Sequence, residues 1–119
     1  MTATLHVCAG CKPADAHPGG AALRDALRAA PPGGVAIAEH PCLGPCGIPG
    51  RIALTAPGRW SWLLAGLAPG PDLADLATFI AAWQASMDGR VAKTDRPDAL
   101  RPKILGRVPP QPAAPTPTV

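Results

Sequence analysis

Short apolar stretches separated by turn residues run through the first third of the chain. The stretches at 4–8 and 35–39 are bounded by proline and glycine, which predicts two strands, the second of them buried. Between them, apolar residues recur every three or four positions over 21–30, which predicts a helix that stops at Pro31 and Pro32. A strand–helix–strand order of this length favours a βαβ unit, in which both strands are parallel and end at the same edge of the sheet.

A hairpin and a second helix are predicted further along. Residues 51–55 and 60–65 flank a Pro-Gly turn, and Trp60, Trp62 and Leu64 share one face of the second strand by the two-residue period. The segment Pro69-Gly70-Pro71-Asp72 opens a second helix, which is expected to stop at Gly89. Its expected buried stripe is Leu73, Leu76, Ile80, Trp83 and Met87. Residues 96–108 contain two prolines, which exclude a long helix and leave a short helical turn or a segment that wraps the domain.

The length of 119 residues allows one domain, which we place at residues 1–108. Residues 109–119 contain five prolines in eleven positions and little to bury, so they are expected to form a disordered, proline-rich tail. The chain has no tyrosine and one phenylalanine, so the tryptophans must supply most of the aromatic packing.

All four cysteines lie in two short segments. Two residues separate Cys8 from Cys11, three separate Cys42 from Cys46, and 30 residues lie between the pairs. In the predicted βαβ unit both pairs follow a strand, so four thiolates would meet at one edge of the sheet. This arrangement indicates an iron–sulfur or metal site, with a structural zinc ion or a redox-active thiol pair as alternatives.

Histidines precede both cysteine pairs. His6 lies two residues before Cys8 and His40 two residues before Cys42, so either can join a mixed Cys/His metal site, although an edge or surface position is the simpler expectation. No Ser-His-Asp set, phosphate-binding loop or carboxylate pair is present in the sequence. A non-catalytic electron-transfer or metal-binding role is therefore favoured over an enzyme.

The net charge of +3 is unevenly distributed. Residues 90–107 contain six basic and two acidic groups, a balance of +4, whereas residues 1–89 have a balance of −1. The basic segment can dock an acidic redox partner or be a solvated extension. It lacks interleaved aromatic residues, so nucleic-acid binding is not expected. No apolar run is long enough to cross a membrane and no secretory signal is present, so we expect a cytoplasmic protein.

The cysteine loops also carry a resemblance to known proteins. The loop Cys42-Leu43-Gly44-Pro45-Cys46 resembles the second cysteine loop of thioredoxin-like 2Fe–2S ferredoxins, a group that includes the small iron–sulfur subunit of respiratory complex I. The span from about Thr4 to Pro110 resembles a bacterial family of predicted metal-binding proteins of unknown function. The matching features are the Cys8/Cys11 opening, the Cys42/Cys46 loop, Ala56-Pro57-Gly58-Arg59-Trp60 and the closing Arg107-Val108-Pro109-Pro110.

The resemblance implies an α/β, thioredoxin-like fold and a 2Fe–2S cluster held by Cys8, Cys11, Cys42 and Cys46. It implies a small electron carrier that acts on a redox partner protein. A zinc-binding or metal-handling protein, with a link to cobalamin or metal homeostasis, is the alternative; a thiol–disulfide redox protein is a third. The sequence leaves a homodimer open.

Overall fold

The computed structural model of the chain describes residues 3–10, 19–42 and 48–110. Over these residues the protein is a mixed α/β domain with a five-stranded sheet and two α-helices. The elements in chain order are β1 (Thr4–Cys8), α1 (Gly20–Ala29), β2 (Ala36–His40), β3 (Ile52–Thr55), β4 (Ser61–Leu64), α2 (Leu73–Ala85) and β5 (Ile104–Val108). No helix in these ranges is long and apolar enough to cross a membrane. Most of the predicted tail, residues 111–119, lies outside the described residues.

The sheet has the strand order β2-β1-β3-β4-β5. Strands β1 and β2 are parallel, and each of the other neighbouring pairs is antiparallel. The parallel strand–helix–strand unit predicted from the sequence is therefore confirmed, as is the antiparallel hairpin of β3 and β4.

Strand β2 lies at an edge of the sheet, so the expectation that it would be buried was wrong. None of its residues is fully buried, and Ala36 and Glu39 are exposed, because only β1 pairs with it. Helix α1 forms ion pairs with β2: Glu39 of β2 accepts hydrogen bonds from Arg24 at 2.9 Å and from Arg28 at 3.3 Å. Isolated surface ion pairs of this kind add little stability, so β2 depends mainly on its backbone pairing with β1.

One hydrophobic core lies between the sheet and the helices. Alternate residues of β1, β3 and β4 point into it, as the two-residue period of a strand requires. The other row of these strands is half-buried or exposed, except for Cys8, which is buried. The largest fully buried side chains are Trp62, Trp83, Phe79, Leu5, Leu23, Leu27, Ile52, Leu54, Leu64, Leu67, Leu76 and Ile80.

Helix α2 is shorter than predicted. It ends at Ala85, and the fully exposed Met87 lies beyond it, so Met87 is not part of the buried stripe. Phe79, which is fully buried, belongs to that stripe instead. The helix gives way to a turn in which the Ser86 hydroxyl accepts a hydrogen bond from the Gly89 amide at 3.1 Å.

Gly89 serves packing rather than helix termination. Its carbonyl accepts a hydrogen bond from Trp62 Nε1 at 2.8 Å. A Cβ at this position would lie 2.8 Å from the Trp60 backbone nitrogen and 2.9 Å from Trp83 Nε1, and φ is +89°. A side chain at residue 89 would therefore push apart the tryptophans that it now contacts.

The basic segment after α2 is part of the domain. Residues 104–108 form β5, a strand that the sequence analysis missed, and it pairs with β4. Three arginines stack on the tryptophans: Arg96 lies 5.0 Å from the Trp62 ring centre, Arg107 lies 4.7 Å from that of Trp60, and Arg59 lies 5.5 Å from that of Trp83. Cation–π contacts of this kind stabilise partly buried arginines, so these basic residues help to close the core.

Replacing Trp62 with Phe tests the contacts that this tryptophan makes with Gly89 and Arg96. The phenyl ring cannot donate to the Gly89 carbonyl and is a weaker partner for Arg96. We expect the free energy of unfolding to fall by about 1–3 kcal/mol in urea denaturation followed by circular dichroism. Met87→Ala is the control and should change it by less than about 0.5 kcal/mol, because Met87 is fully exposed. Equal losses in both variants would contradict the assigned packing.

Candidate metal centre

The parallel pairing of β1 and β2 determines where the two described cysteines, Cys8 and Cys42, lie. Cys8 is the last residue of β1 and lies opposite His40, the last residue of β2. The Ala9 amide continues the pairing beyond the strands by donating to the His40 carbonyl at 2.8 Å. Cys42 follows two residues later. The chain segments that bear Cys8 and Cys42 therefore leave the sheet side by side.

Gly10 allows these two segments to come into contact. A Cβ on Gly10 would lie 2.0 Å from the Pro41 carbonyl oxygen, a distance that no side chain tolerates. The same carbonyl lies 3.9 Å from Cys8 Sγ, which donates a weak hydrogen bond to it. Position 10, the second of the two residues between Cys8 and the predicted ligand Cys11, must therefore be glycine if the first segment is to pack against Pro41.

Gly20 brings a third segment to the same place. This residue begins α1, and a Cβ there would lie 1.9 Å from the Cys8 carbonyl oxygen. The end of β1, the start of α1 and the segment after β2 are thus packed backbone against backbone.

The two described cysteines differ in exposure. Cys8 is 1% exposed, whereas Cys42 is exposed to solvent. The predicted ligands Cys11 and Cys46 lie outside the described residues. Within residues 3–10, 19–42 and 48–110, no group of three or more histidine, cysteine, aspartate or glutamate side chains is arranged to hold a metal ion. Convergence of all four thiols therefore stays a prediction.

His6 and His40 contact each other, which the sequence analysis did not foresee. His6 Nδ1 lies 2.8 Å from His40 Nε2, so one nitrogen donates to the other. On its other side, His6 Nε2 lies 2.9 Å from the Thr55 hydroxyl. Burial, and secondarily the charge of His40, lower the pKa of His6 below its ordinary value of 6.5. The sequence feature that could have indicated this contact is that each histidine precedes a cysteine by two residues, on strands predicted to pair.

Arg51 adds a polar group at the start of β3. Its carbonyl accepts a hydrogen bond from the Cys8 amide at 3.1 Å. Its guanidinium Nε is buried and has no hydrogen-bond partner in the structure as described. A buried donor without a partner is uncommon in folded proteins and often marks a place where an ion, water or ligand binds. Nothing in the sequence pattern had pointed to Arg51.

These features define a class: a small mixed α/β domain whose two parallel strands end in adjacent cysteine-bearing segments, with a histidine pair beside them. The chain belongs to the DUF1636 family of proteins of unknown function, whose family model matches residues 5–110. A family of unknown function was expected over about this span, and that part of the prediction is confirmed. No curated protein matches the chain, and neither does any solved structure.

Replacing Gly10 with Ala tests the contact between the cysteine segments. The added methyl group collides with the Pro41 carbonyl, so we expect the segments to separate and the protein to lose about 1–3 kcal/mol of stability in urea denaturation. Gly106→Ala is a matched control, because a Cβ at Gly106 meets nothing within 4 Å. If both variants unfold at the same urea concentration, the close packing of the two segments is wrong.

The lowered pKa of His6 predicts a dependence of stability on pH. Because the unfolded chain binds a proton at His6 more readily than the folded one, stability should fall as the pH drops from about 7.5 through 6.5. We expect His6→Gln to reduce this loss when metal-free wild type and variant are denatured in urea at pH 7.5 and 5.5. A variant whose pH dependence equals that of wild type would contradict the effect.

Proposed function

We propose that the protein is a small electron carrier that holds a 2Fe–2S cluster on Cys8, Cys11, Cys42 and Cys46. The observation that carries this proposal is the parallel pairing of β1 and β2, which puts Cys8 and Cys42 in segments that contact each other through Gly10 and Pro41. Two further cysteines follow within the same two loops. Thiolates are the usual ligands of such clusters.

The proposal includes a thioredoxin-like fold, which rests on the order of the helices and strands. A parallel strand–helix–strand unit followed by an antiparallel hairpin and a helix supports a thioredoxin-like domain. Strand β5 then extends the sheet on the side of β4. We therefore assign the domain to the thioredoxin-like group as part of the same proposal.

The described residues near the cysteines fit an anionic centre. A 2Fe–2S cluster with four thiolates carries net negative charge and supplies one-electron chemistry when it is bound. Arg51 immediately precedes β3, its carbonyl accepts a hydrogen bond from the Cys8 amide, and it brings a positive charge with an unpartnered buried donor. Hydrogen-bond donors and burial around the sulfur ligands tune such centres.

The difference in solvent exposure between Cys8 and Cys42 suits electron exchange with a partner protein. Cys8 is shielded from water, and its backbone carbonyl packs against the start of α1. Cys42 lies on the exposed side of the same edge. A partner protein that docks at this edge would contact Cys42, while Cys8 would anchor the centre to the sheet.

A zinc-binding or metal-handling role is the second candidate, and the histidine pair favours it. His6 and His40 share a hydrogen bond of 2.8 Å beside the cysteine edge. Zinc accepts mixed nitrogen and sulfur ligands, and a histidine ligand commonly gives its other ring nitrogen to a hydrogen-bond partner. His6 Nε2 has such a partner in Thr55, so His6 would bind zinc through Nδ1 by exchanging its bond to His40 for one to the metal.

Anaerobic purification followed by absorption spectroscopy and by iron, zinc and sulfide analysis separates the two candidates. The electron carrier should be coloured, contain iron and sulfide in equal amounts, and bleach on reduction with dithionite. Cys42→Ser should lose most of the colour. Because Cys42 is exposed, its metal-free variant should unfold at the same urea concentration as the metal-free wild type, so loss of colour would report on the ligand rather than on the fold.

A colourless protein with one zinc ion per chain would reject electron transfer and support metal binding. Full colour in Cys42→Ser would exclude that residue as a ligand. A protein that contains neither metal nor sulfide after anaerobic purification would reject both candidates.

A further inference from the structure

A cavity with a positively charged lining lies at the basic segment between α2 and β5. Its volume is about 280 Å³, and it is lined by Lys93, Arg96, Arg101 and Ile104. Three of these four side chains are cations, and the fourth is apolar. The size is close to the lower end of the range typical of small-molecule sites, roughly 300–1,000 Å³.

The two guanidinium groups are held in place by the fold. Arg96 Nε donates to the Val91 carbonyl at 2.9 Å, and its guanidinium carbon lies over the Trp62 ring, 5.0 Å from the ring centre. Arg101 Nη2 donates to the Lys93 carbonyl at 2.8 Å. A guanidinium has five N–H donors, so each arginine is oriented by one bond and keeps others for a ligand. Preorganised donors lose little conformational entropy on binding.

The positive charge of the cavity has little compensation. Burial, followed by the charges of Arg107 and Arg101, lowers the pKa of Arg96, so like charges surround it. Asp98 lies 3.4 Å from Arg101 Nη1, but its side chain is 93% exposed. In the part of the chain that the structure describes, no carboxylate forms an ion pair with Arg96 or Lys93. An anion bound here would relieve this repulsion.

We propose that this cavity binds a small molecule through a phosphate or pyrophosphate group, with Arg101 and Lys93 contacting the anion and Ile104 its apolar part. Planar guanidinium groups bind phosphate oxygens through paired hydrogen bonds. The concave shape favours a small ligand over the broad acidic surface of a protein. All lining residues come from 93–104, so the site is independent of the cysteine centre.

Isothermal titration calorimetry of the full chain with sodium pyrophosphate and with sodium phosphate, at fixed ionic strength, tests the proposal. We expect saturable binding of one anion per chain. Arg101→Gln and Lys93→Gln should each weaken it about tenfold or more, because each removes a charged hydrogen bond. Arg90→Gln is the matched control: it removes the same charge from the same segment, but Arg90 does not line this cavity.

Arg101→Lys separates geometry from charge. It keeps the positive charge but loses the planar fork, so its affinity for pyrophosphate should fall between those of wild type and Arg101→Gln. An equal loss of affinity in Arg90→Gln would show that the anion is attracted to the whole basic segment, and it would overturn the proposed site. Absence of saturable binding of either anion to wild type would also overturn it, as would wild-type affinity in both glutamine variants.

Discussion

The parallel pairing of β1 with β2 is the constraint on which the cysteine edge depends. Parallel neighbours require a crossover, which α1 provides, and they place both strand ends at one edge of the sheet. The backbone then comes so close that Gly10 and Gly20 have no room for a Cβ. The site is thus built from backbone contacts among three segments, and the side chains of Cys8 and Cys42 are placed by them.

This edge is also one of the two open edges of the sheet. Strand β2 has one neighbour, and its ion pairs to α1 lie at the surface. A metal or cluster that binds only the folded chain would add stability in proportion to the logarithm of its concentration relative to its dissociation constant. The proposed centre would therefore cross-link β2 to β1 at an open edge of the sheet.

Local patterns predicted the first half of the fold well, whereas long-range contacts had to come from the structure. Strand β1 and helix α1 have clear periodicity and turn residues at their ends, so their positions were predicted nearly to the residue. Strand β5 contains Gly106 and Arg107 and becomes a strand through its pairing with β4. The contact of His6 with His40 likewise depends on the register of two strands, which no local pattern specifies. Convergence of Cys11 and Cys46 stays a prediction.

The basic segment shows why charge counted along a sequence is a poor guide to its use. Its excess of positive charge suggested an extension or a docking surface, yet Arg96 and Arg107 stack on tryptophans of the core. Stacking keeps a guanidinium close to apolar surface while its edge stays available for hydrogen bonds. Arg96 is therefore held by Trp62 on one face and presents charge to the cavity beside Arg101. The same contact that closes the core also positions a cation where a small anion can reach it.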